Sequence, residues 1–138
     1  MTKSTVFTLE GVSQYITKEA LASTLDELKI LIQNPNSKLF LSYVDEAFDK
    51  EPEVCFGKGY PRAVKRANLI KSLSEKVGEP WISFYSESEI GDMLSQLGFV
   101  IQKKVTLEDL NSLYFGPVDR TLPENQIVKL EHLLIAGS

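Results

Sequence analysis

Residues 4–25 read STVFTLEGVSQYITKEALASTL, and the change of rhythm inside this stretch decides the fold. Val6, Phe7 and Leu9 form a short apolar run rich in strand formers, and Glu10-Gly11 ends it. Thr17 then stands where a helix cap belongs. Leu21, Leu25, Leu28 and Ile32 follow at helical spacing, with Glu19 in the first turn, where the helix dipole favours an acid. A strand of this kind suits the middle of a sheet, yet the three residues before Ser4 supply no flanking strand. The stretch therefore predicts a sheet that is incomplete on one side.

Working outward, Asn34 to Ser37 (NPNS) stops the helix, because Pro35 cannot continue it. KLFLSYVD, residues 38–45, is apolar on both faces through Leu39, Phe40, Leu41, Tyr43 and Val44, the pattern of a parallel strand covered by helices. Residues 46–60 are polar and read as a loop or short irregular helix. Pro61 opens a helix whose expected stripe is Val64, Ala67, Ile70, Leu73 and Val77, closed by Gly78 and Pro80. WISFY, 81–85, is a brief extended segment. Ser86 and Glu89 have capping-box spacing, and Ile90, Met93, Leu94 and Leu97 continue at i, i+3, i+4 and i+7 until Gly98. FVIQKKV is a strand, Thr106 caps a short helix, GPVDRTLPEN is a loop, and IVKLEHLLIA is the last strand. Strands alternating with helices predict an α/β sheet in one domain over residues 1–138, and the altered rhythm of the last two strands suits one antiparallel member.

Composition narrows the function. The chain of 138 residues is 43% hydrophobic and 25% charged with a net charge of −4, so it can hold a core and offers no basic surface for nucleic acid. The local basic run Lys58, Arg62, Lys65 and Arg66 reads as a solvated helix face. One cysteine, Cys55, and one histidine, His132, exclude a disulfide framework and a clustered zinc site, and no metal is expected. No stretch has the length of a membrane span or the apolar core of a signal peptide, which predicts a cytoplasmic protein without membrane contact. A Cys55/His132 nucleophilic dyad stays open, although His132 in VKLEHLLIA reads first as a satisfied strand residue.

Three segments in order carry a resemblance: VFTLEGVSQYITKEALASTLDELK, SKLFLSYVD and GEPWISFYSESEIGDMLSQLGFVIQ. Together they resemble the C-terminal half of S-adenosylmethionine-dependent methyltransferases of the leucine carboxyl methyltransferase family, a group that includes O-methyltransferases of polyketide biosynthesis. The resemblance implies a partial Rossmann-like methyltransferase sheet, strands four to seven of the family fold with the last antiparallel, and flanking helices. It makes the opening strand a central one whose usual neighbour is absent. It also implies that Glu10, Gly11 and Val12 face the cofactor S-adenosylmethionine, and that Tyr15, Tyr43 and Asp45 line the acceptor side.

The glycine-rich turn and the ribose-binding acid of the family's first half have no counterpart here. Gly57-Lys58-Gly59 follows no strand directly and is a weak stand-in. The expectation is a methyltransferase-like protein, inactive and poor in cofactor binding by itself. It would be completed by a chain supplying the other half, or persist as a non-catalytic, self-associating module. The bare edge of TVFTLE predicts a homodimer through that strand.

Overall fold

The computed structural model describes residues 3–56 and 59–138, with only the backbone at Asn125. Gly57 and Lys58, and with them the Gly57-Lys58-Gly59 turn, lie outside the described residues. Four strands form one sheet in the order β1-β2-β4-β3: β1 (Val6–Leu9), β2 (Lys38–Val44), β3 (Val100–Val105) and β4 (Glu131–Gly137). β1 and β2 are parallel, and β4 runs antiparallel to both of its neighbours, β2 and β3. The α/β class and the reversed last strand are as the sequence reading expects. β4 is shorter than expected: Ile127 and Val128 precede it, and Val128 makes only an isolated bridge to Phe56.

Helix α1 (Lys18–Leu31) carries the chain from β1 to β2 and is capped as expected, the Thr17 hydroxyl accepting from the Ala20 N–H at 3.1 Å. Helix α5 (Glu87–Gln96) begins at Ser86, whose hydroxyl accepts from the Glu89 N–H at 3.1 Å. The expected capping box is only half made, because the Glu89 carboxylate turns instead to Lys18 Nζ at 2.6 Å and ties α5 to α1. Gly98, at φ +80, ends the helix in the left-handed region that glycine adopts without strain, and Phe99 N–H returns to Leu94 C=O at 2.8 Å.

Both helices lie on one face of the sheet. Leu21, Leu25 and Ile32 from α1 and its end, with Ile90 and Leu94 from α5, pack on Leu39, Leu41, Tyr43, Leu134 and Ala136. On the opposite face Val44 joins Phe48, Cys55, Phe56, Ala63 and Ala67, contributed by the short helices α2 (Ala47–Lys50) and α3 (Pro52–Cys55) and by α4 (Ala63–Lys76). The stripe expected on α4 is corrected here: Ala63 and Ala67 are buried, whereas Val64, Leu73 and Val77 are exposed.

Candidate site at the carboxyl rim of the sheet

In open α/β sheets ligands gather beyond the carboxyl ends of the strands. Here those ends are sewn together by two backbone devices. Gly11 N–H donates to Ser42 Oγ at 2.9 Å, and Ser13 Oγ returns a bond to Ser42 C=O at 3.0 Å, fixing the turn after β1 against β2. Gly11 sits at φ +67, which a side chain would strain, and the space where a Cβ would stand is open. The second device is the segment Trp81–Tyr85, which is not a strand. It crosses the rim through Ile82 N–H to Gln14 C=O at 2.8 Å, Tyr85 N–H to Val44 C=O at 3.0 Å and Glu46 N–H to Tyr85 C=O at 2.9 Å. The extended reading of WISFY thus corresponds to a strap that holds two strand ends.

The residues named from sequence fall into two neighbourhoods on this rim. Glu10 is exposed directly after β1, Gly11 follows it, and Val12 is exposed before the 3-10 turn Ser13–Tyr15. Tyr15 stands edge-on to Trp81, ring centroids 6.4 Å apart, and lines a recess with Gly78, Glu79 and Pro80. Tyr43 and Asp45 belong to the second neighbourhood, at the end of β2. Register places Tyr43 opposite His132 on β4, with rings 5.3 Å apart. His132 Nε2 meets Asp45 Oδ2 at 2.7 Å, and Asp45 Oδ1 accepts from the Ala47 N–H at 2.8 Å. Asp45 therefore serves two partners, the start of α2 and the imidazole.

A cleft of about 180 Å³ opens beside this pair, lined by Tyr43, Glu87, Lys104, Val105, Thr106, His132, Leu133 and Leu134. Glu87 is ion-paired with Lys104, which holds its carboxyl below the ordinary range. Burial, with Glu87 and Asp45 nearby, pushes the Tyr43 phenol up to about 12, so it stays neutral at physiological pH. The sequence reading placed His132 in a strand and missed its partner. The signal was non-local: only the β2–β4 register brings residues 45 and 132 together. The Cys55/His132 dyad is corrected, because the imidazole is bonded to Asp45 while Cys55 is buried in the opposite cluster with its thiol pushed up to about 11, the reverse of an activated nucleophile.

No family model matches the chain. It is similar to the putative S-adenosyl-L-methionine-dependent methyltransferase YktD of Bacillus subtilis, 31% identical over 112 residues that make up 81% of this chain and 34% of YktD. The chain thus spans about a third of the length of that curated relative. Among solved structures, a DUF574 family protein from Streptomyces avermitilis superposes with a TM-score of 0.59 at 13% identity, covering 99% of this chain and 45% of that one. PKMT2 from Rickettsia typhi, solved with AdoHcy, gives 0.53 at 16% identity over 96% and 35% of the two chains. The chain is similar in sequence to an S-adenosylmethionine-dependent methyltransferase, and its mixed sheet has the fold of this enzyme class.

Three observations bear on whether the rim suits that cofactor. Glu10 makes no ion pair among the described residues, the approach to Gly11 is open, and Gln14 Oε1 is buried without a hydrogen-bond partner, an acceptor that a ligand donor would satisfy. These groups fit one wall of a cofactor site. Among the described residues no cluster of His, Cys, Asp and Glu suited to a metal ion occurs, and no helix is long and apolar enough to cross a membrane.

Proposed function

We propose that this chain forms the acceptor-side half of an S-adenosylmethionine-dependent O-methyltransferase of the leucine carboxyl methyltransferase type, cytoplasmic and incomplete as a cofactor site by itself. The observation that carries the reading is the similarity to YktD over most of the chain, joined to a sheet whose last strand is reversed between its neighbours. In this reading Glu10 accepts from the cationic amino end of the cofactor, Gly11 and Val12 allow its close approach, and Tyr15, Tyr43 and Asp45 border the acceptor. Bound cofactor supplies an electrophilic methyl group. The chain's own part is to hold an acceptor oxygen in line with it and to exclude water. Calorimetric titration with S-adenosylhomocysteine tests this. The chain alone is expected to bind feebly, and binding is expected to appear when the part of YktD outside the matched region is added. Micromolar binding by the chain alone, or none in either case, overturns the reading.

The free edge of β1 supports a proposal about assembly. Thr5 N–H and C=O both turn toward the β2 side, to Ser37 Oγ and Lys38 N–H, so by alternation the backbone groups of Val6 and Thr8 face away from β2. Val6 is 67% exposed. Such an edge recruits a strand, and in isolation a second copy of this chain fits it about a two-fold axis. Sedimentation across a dilution series is expected to show a dimer that Thr8→Pro dissociates. A wild-type chain that remains monomeric when concentrated refutes the pairing.

A further inference from the structure

The cleft beside β4 has an electronic character that the methyltransferase reading does not assign. His132 Nε2 faces a carboxylate oxygen at 2.7 Å, and a carboxylate only accepts, so Nε2 carries the proton. In the neutral ring, Nδ1 is then the nitrogen with the free lone pair. Nδ1 has no hydrogen bond to any described residue. Asp45 cannot swing away to release this tautomer, because its other oxygen is held by the Ala47 N–H. An imidazole fixed in one tautomer by a positioned carboxylate is the arrangement that accepts a proton and stabilises the resulting cation.

The walls say what would give up the proton. Val105, Leu133 and Leu134 with the Tyr43 ring make the cleft largely apolar, while Lys104 and Glu87 supply one ion pair at its border. A volume of about 180 Å³ equals about six waters' share of the liquid, enough for a single aromatic ring. Acidity separates the hydroxyl classes: an ordinary phenol lies about 3.5 pK units above an ordinary imidazole and nitro substitution closes that gap, whereas full proton transfer from an aliphatic alcohol lies far beyond reach.

We propose that the Tyr43–His132 cleft binds a small phenol and that His132 Nδ1 takes its hydroxyl proton, with Asp45 as the positioning residue. The O–H bond breaks, its electron pair stays on oxygen, and an N–H bond forms at Nδ1. The imidazolium is balanced by Asp45, and the phenolate lies within the field of Lys104. Tyr43, Glu87, Lys104 and Asp45 are the titratable groups facing the ring from β2, α5, β3 and the β2–α2 junction. The proposal rests on the methyltransferase reading only for what consumes the phenolate afterwards.

The test needs no methyl donor, so its failure is separate from failure of that reading. The full chain is titrated with 4-nitrophenol, which turns yellow on losing its proton, at about pH 7, above the ordinary imidazole value of about 6.5, so that an acceptor nitrogen starts without a proton. The proton NMR signal of His132, the one histidine in the chain, is followed in parallel. Saturable growth of the phenolate band together with a shift of the imidazole signal toward the protonated form is expected. Asp45→Asn should weaken phenolate binding about tenfold, the scale of one charge-assisted hydrogen bond, and His132→Gln should abolish deprotonation. Val105→Phe, which fills the cleft and leaves the pair in place, should remove binding without moving the free His132 signal, and it serves if the other variants fold poorly. No saturable binding, a phenolate band unchanged by His132→Gln, or full binding by Val105→Phe overturns the proposal.

Discussion

The two faces of the sheet are packed by helices that follow different rules. On one face α5 buries Ile90 and Leu94, with Met93 and Leu97 flanking them, so its large apolar side chains are its contact surface. On the other, α4 presents the small residues Ala63 and Ala67 with Ile70, while Leu69, Leu73 and Val77 stand more than half exposed. Helix geometry explains the difference. Each residue advances about 100°, so steps of three drift backward by about 60° and a run such as 64, 67, 70, 73 spreads around half the cylinder. Positions 63, 67, 70 and 74 stay within one narrow arc, and that arc faces the core. Two alanines there let the α4 backbone come close to Phe48, Cys55 and Phe56. A large apolar residue off the arc contributes little, whatever its hydrophobicity.

The largest effect expected from this contrast is at Leu94, which is fully buried. Leu94→Ala should cost about 2–5 kcal/mol in urea unfolding, and a loss below about 1 kcal/mol would show that the α5 face is not a continuous core. Buried acids are kept neutral on both faces, Cys55 on one and Tyr43 and Tyr85 on the other. The Cys55 thiol is raised from 9.0 to about 11 and the Tyr43 phenol from 10.0 to about 12. In these windows the native state binds more protons than the unfolded chain, so stability falls as pH rises. It is fully present below about pH 9 and lost in overlapping steps as pH rises, those of Cys55 and Tyr43 each worth roughly 2–3 kcal/mol, with buried Tyr85 adding in the same direction. Tyr43→Phe should reduce the loss in the phenol window by that one contribution and leave the Cys55 step. An unchanged profile would mean that the phenol is not held out of water.

Ala67→Leu tests the close approach of α4 and should destabilise by about 1–3 kcal/mol through overpacking; a neutral result would place α4 farther from the sheet than described. Ser86→Ala removes the α5 cap and should cost about 1 kcal/mol by thermal melting, with no added loss in Glu89→Gln beyond its pairing to Lys18. Smallest of all, Leu73→Ser should change stability by no more than about 0.5 kcal/mol, because the side chain already faces water. A loss near that of Leu94→Ala would show that the exposed arc of α4 is covered in solution.

The rim repeats the lesson at the site. The position of Glu10, Gly11 and Val12 directly after β1 is legible because a strand end is a local event, marked by an acid and a glycine within two residues of the last apolar side chain. The partner of Asp45 is not, since 87 positions separate it from His132. Nothing in VKLEHLLIA says which strand lies alongside it.

By itself the sequence determined the α/β class, the caps at Thr17 and Ser86, the apolar arc of α5 and the resemblance to S-adenosylmethionine-dependent methyltransferases. These signals are carried by residues no more than about four positions apart, or by segments read in order, and backbone sterics and periodicity suffice to interpret them. Only the tertiary structure decided the rotation of α4, the strap Trp81–Tyr85, the turning of Glu89 from its own cap to Lys18, and the Asp45–His132 pair. Each depends on which surface a side chain meets across the fold. That is set by sheet register and by the closest packing of the whole chain, quantities that no local window contains.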